Sequence, residues 1–202
     1  MIDSASSAAE QPAVARAFSR EDAAWVAPVL RALPALAVGL VITFTADHSP
    51  ALGLTMLASF GIVTALVLAL STVRMAAGDL RRALHIGLAV IGGVVGALAL
   101  VVLATATGGL ALLLLLIGGY AVLAGALELV WGIRHRDRSP LARDAVVVGI
   151  GTLALAVVLA LVGDTVTAVG FFGAYAVVLG VFLLIAGFSQ TSSSDVKESP
   201  AP

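Results

Sequence analysis

Long apolar runs make up most of the chain, and short polar breaks separate them. The runs cover about 29–46, 51–73, 83–103, 110–133, 145–163 and 166–188. A helix rises ~1.5 Å per residue, so ~20 apolar residues cross the hydrocarbon core of a bilayer. The six runs reach or approach that length. The pattern predicts an all-α, polytopic membrane protein with six transmembrane helices. The first run carries Arg31 and Pro34. Near a helix start, Arg31 can snorkel its guanidinium to the interface. Pro34, placed in the first turns, gives up an N–H at little cost.

The runs also repeat. At an offset of 55, Gly118, Tyr120, Gly125 and Gly132 match Gly173, Tyr175, Gly180 and Gly187. At an offset of 60 the pattern extends back to the second run, where Ala58, Ala65 and Thr72 replace the glycines, Phe60 replaces Tyr120, and Arg74 matches Arg134. The odd runs match less closely, though Ala32, Gly87 and Gly149 sit comparably near their starts. The unit is a helical hairpin of about 55–60 residues used three times. Two spans per unit restore the orientation, so these are parallel hairpin repeats and not the inverted repeats of many transporters. Gly118, Gly125 and Gly132 are spaced by seven, as are Gly173, Gly180 and Gly187. Two helical turns separate neighbours, so each set forms a stripe on one face. Small residues let backbones approach, and such packing drives helix association in lipid. These six glycines are expected to be helix-packing positions.

Composition agrees with the pattern. Hydrophobic residues are 60% of the 202 residues and charged residues 11%, against roughly 45–50% and 25% in an average soluble domain. The net charge of −1 gives no field that would draw in nucleic acid. The absence of cysteine excludes disulfides, thiolate metal sites and a Cys nucleophile. Ten Arg against one Lys, with abundant Ala, is the usage of a GC-rich bacterial genome. The start, Met1-Ile2-Asp3-Ser4, lacks the basic n-region of a signal peptide, so the first membrane helix is expected to direct insertion.

Charge then sets an orientation. The breaks at 47–50, 105–109 and 163–165 contain neither Lys nor Arg. The other two carry Arg74, Arg81 and Arg82, then Arg134, Arg136, Arg138 and Arg143. With Arg16, Arg20 and Arg31 before them and Lys197 after, all 11 basic residues fall on one face of a six-span thread. The positive-inside rule makes that face cytoplasmic, with both termini inside. The seven loop arginines are the topology-determining residues. Residues 1–24 read as a disordered cytoplasmic tail or a short interfacial helix, with Val14, Phe18 and Trp25 on one line. Residues 189–202 read as a second disordered cytoplasmic tail.

The sequence resembles a known family at this level. The Trp25…Arg31…Gly39…Pro50 opening, the Gly-x-Tyr-x4-Gly spans at Gly118-x-Tyr120 and Gly173-x-Tyr175, and the Arg-rich inner loops are similar to the HdeD family of bacterial acid-resistance membrane proteins. That family has a six-span domain of unknown biochemical function. The resemblance covers about 25–188 and implies acid-stress protection at the inner membrane. It implies no catalytic residues.

Candidate chemistry is sparse. Glu128 is the one acidic residue well inside a run, three after Gly125 and four before Gly132, so it shares the glycine face. A carboxylate costs on the order of 2.5–3.5 kcal/mol at a bilayer centre on insertion scales, and less near an end. The repeats hold Leu68 and Leu183 there, so packing alone does not require a charge. One reading is a proton-sensing or ion-pathway carboxylate. The other is a carboxylate paired with a helix-end arginine such as Arg31 or Arg74. Tyr120 and Tyr175 are read as packing residues with a belt-type hydroxyl, or as part of a ligand or proton path. Asp47, His48 and Asp164 lie on the outer face and titrate over an acid range suited to a periplasmic sensor, or are plain loop residues.

The inner loop Arg134-His135-Arg136-Asp137-Arg138 suits topology and anionic-lipid contact. It lacks a nucleic-acid recognition fold. Gly92-Gly93 and Gly108-Gly109 lack the strand-to-helix context and the Lys of a phosphate loop. The expectation is a non-enzymatic inner-membrane protein, without cofactor, that contributes to acid or envelope stress tolerance. Its partner is the lipid bilayer, with a homo-oligomer left open. The alternatives are a small transporter or channel with Glu128 on its path, and a membrane scaffold or assembly subunit using its glycine faces.

Overall fold

The computed structural model describes residues 26–75 and 78–195. Its elements are six helices: α1 (Val26–Phe44), α2 (Pro50–Arg74), α3 (Leu80–Ala104), α4 (Leu110–His135), α5 (Pro140–Ala160) and α6 (Thr165–Asp195). There is no strand among the described residues. Each helix contains a window long and apolar enough to cross a membrane. The outward faces are apolar as well: Leu70 is 66% exposed, Val157 63% and Val178 68%. Water would not tolerate so continuous an apolar surface, whereas a bilayer core does. The chain is a multi-pass integral membrane protein.

The helix starts follow local chemistry. Ser49 caps α2 by accepting from the Leu52 N–H at 3.2 Å, and Pro50 occupies the first position. Asp79 caps α3 through the Arg81 N–H at 2.9 Å. Asp164 accepts from the Thr167 N–H at 2.9 Å ahead of α6. Pro140 opens α5 five residues before the run predicted from 145. That earlier start brings Asp144 into the helix.

Pro34 departs from expectation. α1 begins at Val26, so Pro34 lies inside the helix and leaves the Leu30 carbonyl without its usual donor. At the other end, α6 continues as helix to Asp195, through part of the segment expected to be a tail. The expectations for 1–24, and for the tail beyond 195, fall outside the described residues.

The packing order is a closed ring. The closest pairs are α2 with α3, α4 with α5, and α6 with α1. Looser contacts join α1 to α2, α3 to α4 and α5 to α6, and the even helices α2, α4 and α6 also meet one another. The odd helices touch only even ones. Each tight pair thus joins the second helix of one sequence hairpin to the first of the next, and α6 returns to α1. This arrangement is compatible with three hairpin repeats around a common centre.

Glycine makes the tight pairs close. A Cβ on Gly125 would meet Leu153 Cγ at 2.9 Å and the Gly149 carbonyl at 3.0 Å. On Gly132 it would meet the Ala142 carbonyl at 2.7 Å. On Gly180 it would meet Leu36, and on Gly173 Ile42. Gly61 and Gly92 play the same part between α2 and α3, where the Gly92 carbonyl lies within hard contact of a Gly61 Cβ. Gly187 is buried near the end of α6. Gly118 is the correction to the expected stripe: nothing lies within 4 Å of its Cβ position. The stripe meets the neighbour helix only from Gly125 onward in α4.

Candidate functional site

Arg31 and Glu128 meet at 2.6 Å inside the bundle. Glu128 is 2% exposed and Arg31 9%. The backbones of α1 and α4 do not approach each other. The long Arg31 side chain therefore crosses the interior to reach the carboxylate. Of the two sequence readings of Glu128, the structure brings about the pairing with Arg31. It also replaces the snorkelling expected of Arg31, whose guanidinium turns inward. Arg74, the other candidate partner, is exposed at the end of α2.

The pair lies on a pocket of about 80 Å³ lined by residues from all six helices. Leu68, Glu128 and Leu183 all line it. The three positions equated by the repeat offsets thus converge on one place, and only one of them carries a charge. Arg81, His85, Trp131 and Asp144 complete the polar part of the wall. The pocket lies toward the end of the bundle that carries the Arg-rich connections, as its lining from the start of α1 and the end of α4 requires.

Three buried atoms on this wall lack a hydrogen-bond partner: Arg31 Nε, His85 Nδ1 and Glu128 Oε2. An unsatisfied buried polar group costs about 1–3 kcal/mol, and more when charged. Arg81 is already engaged, since Asp79 accepts from its Nε at 3.2 Å and its Nη2 at 3.1 Å. Partial burial pushes the Asp79 carboxyl up, but the bonds from the Arg81 side chain and N–H outweigh it and hold the group below the usual carboxylate range.

Above the pocket the interior becomes aromatic. Tyr120 is buried, lies close to Arg31, and stands edge-on to Phe60 with ring centroids 5.6 Å apart. Phe60 also meets Phe172 at 6.1 Å. Tyr175 reaches sideways to Thr152 at 2.8 Å. Thr152 gives its only proton to the Val148 carbonyl at 2.7 Å, so Tyr175 is the donor to Thr152. Beyond the aromatics, Leu54, Leu113, Ile117 and Val169 fill the half away from the Arg-rich connections, each 0% exposed. The polar cluster thus lies toward one end of the bundle and is backed by packed side chains toward the other.

The remaining sequence candidates lie apart from this cluster. Asp47, His48 and Asp164 are at the opposite end; Asp47 accepts from the Ser49 N–H and hydroxyl at 2.9 Å, which makes it part of a cap. The Thr167 N–H holds the Asp164 carboxyl below its ordinary value. Arg82, Arg134, Arg136, Arg138 and Arg143 are exposed at the pocket end. Arg136 comes only within 3.9 Å of Asp137, in full solvent. Trp131 donates to the Leu80 carbonyl at 3.1 Å and stacks on His135, so His135 is a packing residue of the helix end.

Sequence reasoning missed His85 and Asp144. In the sequence His85 has no visible partner, and an apolar run that starts at 145 leaves Asp144 in the connection before it. Ser139-Pro140 was the available signal, because Pro favours the first helical position and puts Asp144 one turn in. Among the described residues, no three His, Asp or Glu stand close enough to hold a metal ion. No protein-family model, curated protein or solved structure matches this chain.

Proposed function

We propose that this chain is a non-enzymatic protein of the bacterial inner membrane, of the HdeD type, with both termini cytoplasmic, contributing to acid or envelope stress tolerance. The observation that carries the reading is the Arg31–Glu128 pair on a pocket at the basic end. Under the positive-inside rule that end faces the cytoplasm. Protonating Glu128 would leave Arg31 as a buried, uncompensated cation, which is costly. The contact of α1 with the rest of the bundle would then depend on proton activity inside the cell.

The test is acid-challenge survival of a deletion strain. Wild type should restore survival. The double variant Arg31→Leu/Glu128→Leu should reach the membrane at wild-type level and fail to restore it. Full rescue by the double variant, or a deletion that survives like its parent, would refute the role.

A second reading is a small transporter with Glu128 on its path. The pocket wall that includes Glu128 favours it. It requires an opposite state in which the plug formed by Phe60, Phe172 and Ile117 opens. Single-cysteine labelling at Ile117 from the outer side would reveal such a state. The scaffold reading loses its original surface, since Gly125, Gly132, Gly173 and Gly180 are consumed within the chain.

A further inference from the structure

A groove of about 350 Å³ runs along the outward face between α5 and α6. These two helices pack more loosely than any other neighbours in the ring. On the α5 side the groove is lined by Val147, Gly151, Ala154 and Val158, whose spacing puts them on one helix face. Ala174 and Tyr175 belong to the α6 side. Gly151, Ala154 and Ala174 are exposed and too small to fill the gap. A Cβ on Gly151 would meet nothing within 4 Å. Tyr175 gives its proton to Thr152 at 2.8 Å, and no lining residue holds a buried polar atom without a partner. The groove therefore suits an apolar occupant, and at bilayer depth that occupant is hydrocarbon. Charge stands at one end of the same face. Arg143 lies four residues before Val147, one turn nearer the Arg-rich end, and is exposed. Its neighbour Asp144 lines the interior pocket instead.

We propose that this groove holds an acyl chain of an anionic phospholipid from the leaflet at the Arg-rich end, with the headgroup phosphate beside Arg143. Length agrees: Val147 to Val158 covers about 16 Å, roughly half of the ~30 Å hydrocarbon core. Charge agrees as well, because a basic residue near the bilayer surface attracts anionic lipid by ~1 kcal/mol. A second copy of the chain fits less well. In a two-fold pair a face meets its own copy, so groove would oppose groove, the gap would stay unfilled, and Arg143 would approach another Arg143. Lipid binding here is independent of the stress-tolerance role and needs only that the chain spans a bilayer.

The experiment titrates the full chain in detergent, at neutral pH, with phosphatidylglycerol or phosphatidylcholine of identical acyl chains and reads the thermal midpoint. Phosphatidylglycerol should raise the midpoint saturably and at lower concentration than phosphatidylcholine. Arg143→Gln, at an exposed position, should fold and weaken the phosphatidylglycerol response about fivefold, equivalent to ~1 kcal/mol. Arg74→Gln removes the same charge at the end of α2, which makes no contact with α5, and should keep the preference. Gly151→Leu builds into open space, so it should fold and lose the response to both lipids. Equal wild-type responses to the two lipids overturn the proposal, as does an unchanged response in Arg143→Gln. A loss in Arg74→Gln as large as that in Arg143→Gln assigns the preference to the general field of the basic end and also overturns it. A full lipid response in Gly151→Leu takes the acyl chain out of the groove. A wild-type dimer that Gly151→Leu dissociates in size exclusion gives the groove to a second copy of the chain; either result overturns the lipid site.

Discussion

Arg31 in α1 and Glu128 in α4 form an ion pair at 2.6 Å between two helices whose backbones never touch. Removing one partner of a buried pair leaves a stranded charge, at a cost of about 3–5 kcal/mol. Glu128→Gln is therefore expected to lower the stability of the detergent-solubilised protein by that order. Arg31→Leu/Glu128→Leu, which removes both charges, should recover most of the loss. Chemical-denaturant unfolding of the three proteins checks this. Equal stability of Glu128→Gln and wild type would mean that the pair contributes nothing to the fold.

Gly125 and Gly180 are expected to tolerate no large side chain. The first meets Leu153 and the Gly149 carbonyl, the second meets Leu36. Leu at either position should prise α4 from α5 or α6 from α1 and sharply reduce folded yield. Val122→Leu should pass unnoticed, since Val122 is 49% exposed on the outer face. Gly118→Ala should also be neutral, with open space around its Cβ position. Fluorescence-detected size-exclusion profiles rank the four variants. A Gly125→Leu profile like that of Val122→Leu would remove the close contact.

How much of this was legible in the sequence follows from the physics of each feature. Apolar length fixed the six spans, and charge fixed which connections share an end. Glycine spacing identified Gly125, Gly132, Gly173 and Gly180 as contact positions. It did not say that each stripe faces the next hairpin's first helix, because spacing along one helix carries no information about its partner. The pairing of Arg31 with Glu128 was one of two open readings, since a long side chain can reach water or protein equally well. Asp144 stayed hidden because an apolar-run criterion starts α5 too late. His85 joins the site only once six helices close around it.

Asp79 gives a pH dependence with a definite sign. Its carboxyl is held below the usual range by Arg81. A depressed folded-state value contributes stability that is present above the unfolded carboxylate value, ~3.9, and is lost as pH falls through the folded value. Asp79→Asn should lower the thermal midpoint at neutral pH. The gap between variant and wild type should narrow as pH falls below about 4. A gap that stays constant down to pH ~2 would assign Asp79 a purely neutral capping role.

The last expectation concerns orientation. The connection between α2 and α3 and that between α4 and α5 lie at the end that holds the Arg31–Glu128 pocket; exposed Arg82 stands in the first turn of α3, and exposed Arg136 and Arg138 in the second connection. The connections after α1, α3 and α5 lie at the other end and contain neither Lys nor Arg. Translocating a basic loop is disfavoured, so the pocket end should remain in the cytoplasm. Alkaline phosphatase fused within 47–49, 105–109 or 162–164 should be active, because the enzyme folds only outside. Fusions at 78–79 or 136–139 should be inactive. The opposite pattern would turn the protein over and expose the Arg31–Glu128 pocket to the periplasm, where acid arrives first. Acid sensing from inside the cell would then have to be abandoned, while the pair and its packing would stand.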